Sequence, residues 1–163
     1  MRFTASIFDP LGILSPLTLK LKVLFQRACK EKIGWDFSLS NELKHEKKKW
    51  LINSSTFNGL TLDRYHLYTN SSSTNLIGFC DASGDAYAAA VYCVSVDPDG
   101  RAKSSLICSK TRVAPLVSQT IPRLELLGAL ILSRLILKVR KELENVLKVD
   151  DVLCLTDSEV VLN

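Results

Sequence analysis

Apolar residues in this chain follow one spacing in its first third and another beyond it. Leu17, Leu21, Leu24 and Ala28 recur at helical intervals up to Gly34. Ser15 followed by Pro16 reads as a cap and a first-turn proline. A second helix is expected from about Ser40 to Ile52. The polar stretch Tyr68 to Asn75, containing T-N-S-S-S-T-N, is the best linker signal and places a domain boundary there. Residues 1–74 are thus expected to form a helical segment, and residues 75–163 a second unit.

Beyond the boundary the pattern turns to strands. Asn75 to Asp81, Ala86 to Val96 and Ser104 to Val113 read as three strands, with Asp97-Pro98-Asp99-Gly100 as a hairpin turn between the last two. Thr120 is placed to cap a long helix, Ile121 to Leu143, with Pro122 in its first turn; this helix is apolar on most faces and must lie against the sheet. Val152 to Thr156 is a short apolar run suited to a buried strand, and Ser158 is placed to cap a further helix. An antiparallel meander makes strands one and three parallel, and a helical crossover makes strand four parallel to them. The expected class is α/β: a mixed sheet of three antiparallel strands, a crossover helix and a parallel fourth strand. That strand fits beside strand three or beside strand one.

Composition adds bounds. With 163 residues, 47% hydrophobic and 23% charged, the chain is long enough to bury a core. A net charge of +4 suits a polyanionic partner without requiring one. The block Lys44 to Lys49 reads as a solvated helix face, and His45 and His66 as isolated surface histidines. Cys29, Cys80, Cys93, Cys108 and Cys154 are odd in number and lack a C-x-x-C pair, so they read as buried thiols in a reducing compartment. Met1 to Ser15 lacks a signal pattern, and the apolar run Leu126 to Val139 is broken by Ser133, Arg134 and Lys138. The expectation is an intracellular, cytoplasmic chain with no membrane partner; the oligomeric state is left open.

The candidate chemistry is carboxylate chemistry. Asp81 follows Ile77-Gly78-Phe79-Cys80, and Asp157 follows Leu153-Cys154-Leu155-Thr156. Strand four is expected to pair with strand one, since the acids then end neighbouring strands roughly 4.8 Å apart and can share a divalent ion. Glu125, early in the long helix, can point at the same spot. Three such acids repel, and hard oxygen ligands suit magnesium or manganese. Each also has a plainer reading: Asp81 as a turn residue, Glu125 as a partner of the helix dipole, Asp157 as a cap.

G-F-C-D-A-S (78–83), R-L-E-L-L-G-A (123–129) and L-T-D-S (155–158) resemble the first three acidic motifs of the ribonuclease H fold. F-D-P-L-G-I-L-S-P (8–16) and I-G-W-D (33–36) narrow the resemblance to BEL/Pao-type retrotransposon polyproteins, and it covers nearly the whole chain. It implies that residues 8 to about 68 connect a reverse transcriptase to ribonuclease H. It also implies hydrolysis of RNA in RNA–DNA hybrids, with Asp81, Glu125 and Asp157 as catalytic, metal-binding acids for two magnesium or manganese ions about 3.5–4 Å apart. Ser83 or Ser158 would support a ligand carboxylate, and the partners would be the hybrid and the polymerase portion of the same polyprotein.

The chain departs from that family pattern by ending at Asn163, before a fourth acid and the later elements, and by lacking Y-x-D-D. The expectation is therefore a poor ribonuclease, with Leu130 and Leu137 partly exposed. The competing readings are a non-catalytic remnant of a decayed retroelement and an interaction module. The region also resembles chains labelled Pao retrotransposon peptidase, but no Asp-Thr-Gly or Asp-Ser-Gly occurs, so aspartic peptidase activity is not supported.

Overall fold

The structure is a computed structural model that describes residues 7–34, 36–57, 59, 61 and 71–162. His66, Trp35 and the start of the expected linker lie outside them. In chain order come α1 (Ser15–Lys30), α2 (Asn41–Ser54), a short 3-10 turn (Ser55–Phe57), β1 (Ser73–Ala82), β2 (Ala86–Val96), β3 (Ala102–Val113), α3 (Ile121–Leu143), β4 (Asp151–Leu155) and the brief α4 (Glu159–Leu162).

The first helix corrects the expected cap. Ser15 lies inside α1 and Leu14 is its N-cap: no side chain caps the helix, the N–H groups of Ser15 and Leu17 go to the carbonyls of Gly12 and Leu14, and the Asp9 carboxylate accepts the Leu14 N–H at 2.9 Å. At the other end α1 stops at Lys30, short of Gly34. Lys32 takes φ 52°, while its N–H bonds Cys29 O and the N–H of Ile33 bonds Ala28 O. This is the Schellman closure usually left to glycine. Ser40, expected near the start of the second helix, is the cap of α2, its hydroxyl accepting from Leu43 N. The lysines of α2 are exposed, as is His45, whereas Leu43 and Trp50 are buried. The Trp50 indole N–H donates to Leu17 O at 2.9 Å, and Arg27 forks to Glu42 and Glu46, both at 2.6 Å, so the two helices form a hairpin.

The sheet has the order β3-β2-β1-β4, antiparallel throughout except for the parallel β1–β4 pair. Strand four therefore lies beside strand one. Asp97, Gly100 and Arg101 close the β2–β3 hairpin through backbone bonds and the Asp97 carboxylate. Alternation along β1 sends Leu76, Gly78 and Cys80 to the face covered by α3. There Leu124, Leu132 and Ile136 meet Leu76, Val91 and Cys93 to form the core. Gly78 makes room for this contact: a Cβ there would stand 2.5 Å from Leu132 Cδ1, so that side chain would have to shift. Thr120 precedes α3 with extended backbone, but its side chain makes no capping bond; its carbonyl accepts the N–H groups of Arg123 and Leu124.

The helical hairpin leans on β3. Ser109 donates its N–H to Leu11 O (2.7 Å) and its hydroxyl to Gly12 O (2.8 Å), and the Gln26 amide donates to Ala114 O. Gly12 has φ +77°, and a Cβ there would meet Ser109 O at 2.2 Å, so only glycine permits this approach.

All five cysteines are free. Cys80 and Cys93 are buried, but Cys29 and Cys154 are exposed, which corrects the expectation of five buried thiols. The reasons are local: Cys29 sits on the outer side of the last turn of α1, and β4 is an edge strand with little covering it. Among the described residues, no helix is long and apolar enough to cross a membrane.

Candidate metal centre

Three elements deliver the three acids. The β1–β4 pairing runs from Asn75 opposite Asp151 to Phe79 opposite Leu155, so Asp81 and Asp157 each follow the last pair by the same short step on adjacent chains. A parallel register keeps such residues side by side. The α3 helix crosses β1 with Leu124 buried beneath it, and that anchoring turns the neighbouring Glu125 toward the strand ends. One carboxylate oxygen from each of Asp81, Glu125 and Asp157 lies within 4.8 Å of the others. The three candidates picked from sequence are therefore brought together.

Their surroundings differ. Asp81 is exposed, and its Oδ1 accepts the Ala82 N–H at 2.7 Å, which fixes the plane of the carboxylate. Asp157 is exposed as well. Glu125 is half-buried, and its Oε2 is shielded from solvent with no hydrogen-bond partner among the described residues. Burial first, then the charges of Asp81 and Asp157, pushes the Glu125 carboxyl above the usual carboxylate range. A buried acceptor left without a donor costs free energy on the order of 1–3 kcal/mol. A cation would supply the missing partner and relieve the repulsion together, so the residues present fit a divalent ion.

Ser83 does not touch the acids. Its hydroxyl is used in the β1–β2 turn, where it accepts from the Asp85 and Ala86 N–H groups. Ser158 serves the start of α4, its carbonyl accepting the N–H of Leu162. Sequence reasoning missed Thr156, whose hydroxyl accepts the Ser158 N–H and also reaches the Cys80 thiol, linking the ends of β4 and β1. It missed the cavity as well. A space of about 520 Å³ beside Asp81 and Asp157 is walled by Phe79 and Ala90 of the sheet and by Ser15 and Pro16 of α1. No local pattern marks Ser15 as a neighbour of residues so distant in the chain.

A mixed sheet in the order β3-β2-β1-β4, crossed by one long helix and carrying acids at the ends of β1 and β4, defines a ribonuclease H-like protein. Within that class the chain belongs to the Pao retrotransposon-like RNaseH-like domain family, whose model matches residues 1–158 and so includes all three acids. No curated protein matches the chain.

Proposed function

We propose that Asp81, Glu125 and Asp157 hold divalent cations, two magnesium or manganese ions at full occupancy, and that this site hydrolyses the RNA strand of RNA–DNA hybrids during reverse transcription. The observation that carries the reading is the convergence of three carboxylates within 4.8 Å around a buried Glu125 oxygen with no partner. Membership of a retrotransposon family with a ribonuclease H-like fold supports the substrate class. In this reading residues 75–163 carry the chemistry, and the helical segment of residues 1–74 connects it to a polymerase portion of the same polyprotein.

Asp81 enters the arrangement from the end of β1, with its plane fixed by the Ala82 N–H and one of its oxygens within 4.8 Å of the neighbouring acids. Glu125 and Asp157 complete it. A bound divalent ion supplies charge neutralisation at a phosphoryl group and lowers the pKa of water. The chain itself supplies position: the backbone ladder of β1 and β4 sets the acid spacing, and Leu124 holds Glu125 from below. The adjoining cavity, with Phe79 on its wall and Ser15 at its rim, gives the nucleotides flanking a scissile phosphate a place to lie. A ribose 2′-hydroxyl there distinguishes RNA from DNA.

A second reading, a binding module without turnover, draws on exposed apolar side chains. Leu153 (49%) and Leu155 (40%) on β4, and Leu130 (43%) and Leu137 (65%) on α3, lie open as if for a partner. The test is a cleavage assay on a hybrid labelled in its RNA strand, run with and without manganese. Slow metal-dependent cleavage, as expected of a poor ribonuclease, that disappears in Asp81→Asn is the expected outcome. Metal-dependent stabilisation with no cleavage selects the binding module instead, and the absence of any metal response overturns the site.

A further inference from the structure

On the far side of α3 from Glu125 lies a second groove, between the helix and the edge strand β3. Lys110 and Arg112 line it from β3; Arg134 and Lys138 line it from α3. Tyr87 and Ile131 contribute apolar floor. Its origin is in the register. Lys110 pairs with Ala89 and Arg112 with Tyr87, so both cations share the helix-covered face of the sheet with these core residues. Since α3 packs over β1 and β2, that face of β3 stays open.

All four cations are exposed, and none makes an ion pair among the described residues. None of the residues lining the groove is acidic. Four like charges around a space of about 240 Å³ repel one another, a cost that an anionic ligand reverses. Two residues on a strand and four on a helix each separate their charges by roughly 6–7 Å. Two facing rows at that spacing suit an extended polyanion with regularly repeated charges better than one isolated anion.

We infer that this groove is a phosphate-backbone subsite, which grips nucleic acid outside the acid cluster and separately from it. The inference rests on the proposed hybrid substrate and adds where its flanking backbone is held. The four side chains act as positioning residues: they read charge and carry no base specificity. Arg134 and Lys138 lie about 14–20 Å along the helix from Glu125, so the strand they hold is several nucleotides from the one at the acids.

The experiment measures binding of a fluorescein-labelled RNA–DNA hybrid to the full chain across a salt series in EDTA. It compares wild type with Arg134→Gln/Lys138→Gln and Lys110→Gln/Arg112→Gln. Glutamine keeps much of each aliphatic stem and removes the charge. Each double variant is expected to weaken binding and to lower the slope of log affinity against log salt by about 1.4–1.8, the value for two lost phosphate contacts. The control Lys47→Gln/Lys48→Gln makes the same change in net charge on the solvated face of α2 and should keep the wild-type slope. Stabilisation by manganese, read separately on each groove variant, should stay at the wild-type value, so failure at the acids is distinguishable from failure here. Unchanged affinity and slope in both groove variants would overturn the inference, as would hybrid binding too weak to measure in the wild type. Displacement of the hybrid by polyglutamate at a lower concentration of charge than by unlabelled hybrid, lost in both groove variants, would overturn it in favour of an acidic protein segment.

Discussion

Glu125 is the residue whose state most depends on what binds beside it. Its buried Oε2 has no donor, and its carboxyl is pushed up by burial and by Asp81 and Asp157. At neutral pH its charge is therefore a burden on the folded protein when no cation is present. Glu125→Gln should raise the melting temperature in EDTA while removing much of the stabilisation by manganese. Asp81→Asn should abolish most of the manganese effect as well, because one of the three converging carboxylates is lost. Differential scanning fluorimetry with and without manganese checks both, and an unchanged metal response in Asp81→Asn would place the ions elsewhere. The direction matters more than the size: a mutation that stabilises the metal-free protein and removes its metal response marks a functional acid rather than a structural one.

The β1–β4 pair sets the spacing of the acids, and it is clasped at its far end by Asp150. Asp150 accepts the Thr74 N–H at 2.9 Å and meets the Lys148 ammonium at 2.9 Å; the Thr74 bond first, then Lys148, holds its carboxyl below the ordinary range. A depressed carboxyl contributes stability that is complete above its unfolded value, about 3.9, and is lost as pH falls through the lower folded value. Asp150→Asn should therefore be less stable than wild type near pH 7, with the difference shrinking below about pH 4. Urea melts at neutral and acid pH would show it, and a constant difference would mean that the carboxylate charge is irrelevant. Packing on the opposite side of β1 is as strict. Gly78→Val forces side-chain bulk into Leu132, and a loss of about 1–3 kcal/mol is expected from overpacking, read as a lower urea midpoint.

Elements like these were legible where one local signal decided the outcome. The bounds of β2 and of the long helix follow directly from alternation and apolar periodicity. The acids stood out because each ends an apolar strand or opens an apolar helix. Choosing strand one over strand three as the partner of strand four needed the site itself as an argument. Local reading failed where a distant or backbone group took over a side chain's role. The Gly12 and Leu14 carbonyls took the first-turn N–H groups of the helix that Ser15 was expected to cap, and the Thr120 carbonyl served where its hydroxyl was expected. Lys32 adopted the left-handed turn expected of a glycine. The open helix-side face of β3 was invisible because the lysines and arginines that line the groove come from two elements that only the fold brings together.

At the scale of the molecule, the helical hairpin and the sheet are held together through few contacts, and these contacts form part of the cavity beside the acids. Leu11 and Gly12 bond Ser109, Gln26 bonds Ala114, and Ser15 and Pro16 then line the space next to Asp81 and Asp157. The sheet and α3, by contrast, share one continuous core to which neither α1 nor α2 contributes a buried residue. Regions with few cross-contacts open locally at lower cost than the global unfolding energy. Gly12→Val is the sharpest probe, since its Cβ would clash with the Ser109 carbonyl and its φ of +77° is strained for a branched residue. The expected outcome is faster amide hydrogen exchange at Ser109 and through α1, with protection in β1 and β2 unchanged. Manganese stabilisation should persist in this variant, because the acids stand on β1, on α3 and just beyond β4, while hybrid cleavage should fall as the cavity loses a wall. Equal loss of protection in β1 and β2 would show instead that the hairpin and the sheet unfold as a single cooperative unit, with Gly12 as much a residue of the fold as Gly78.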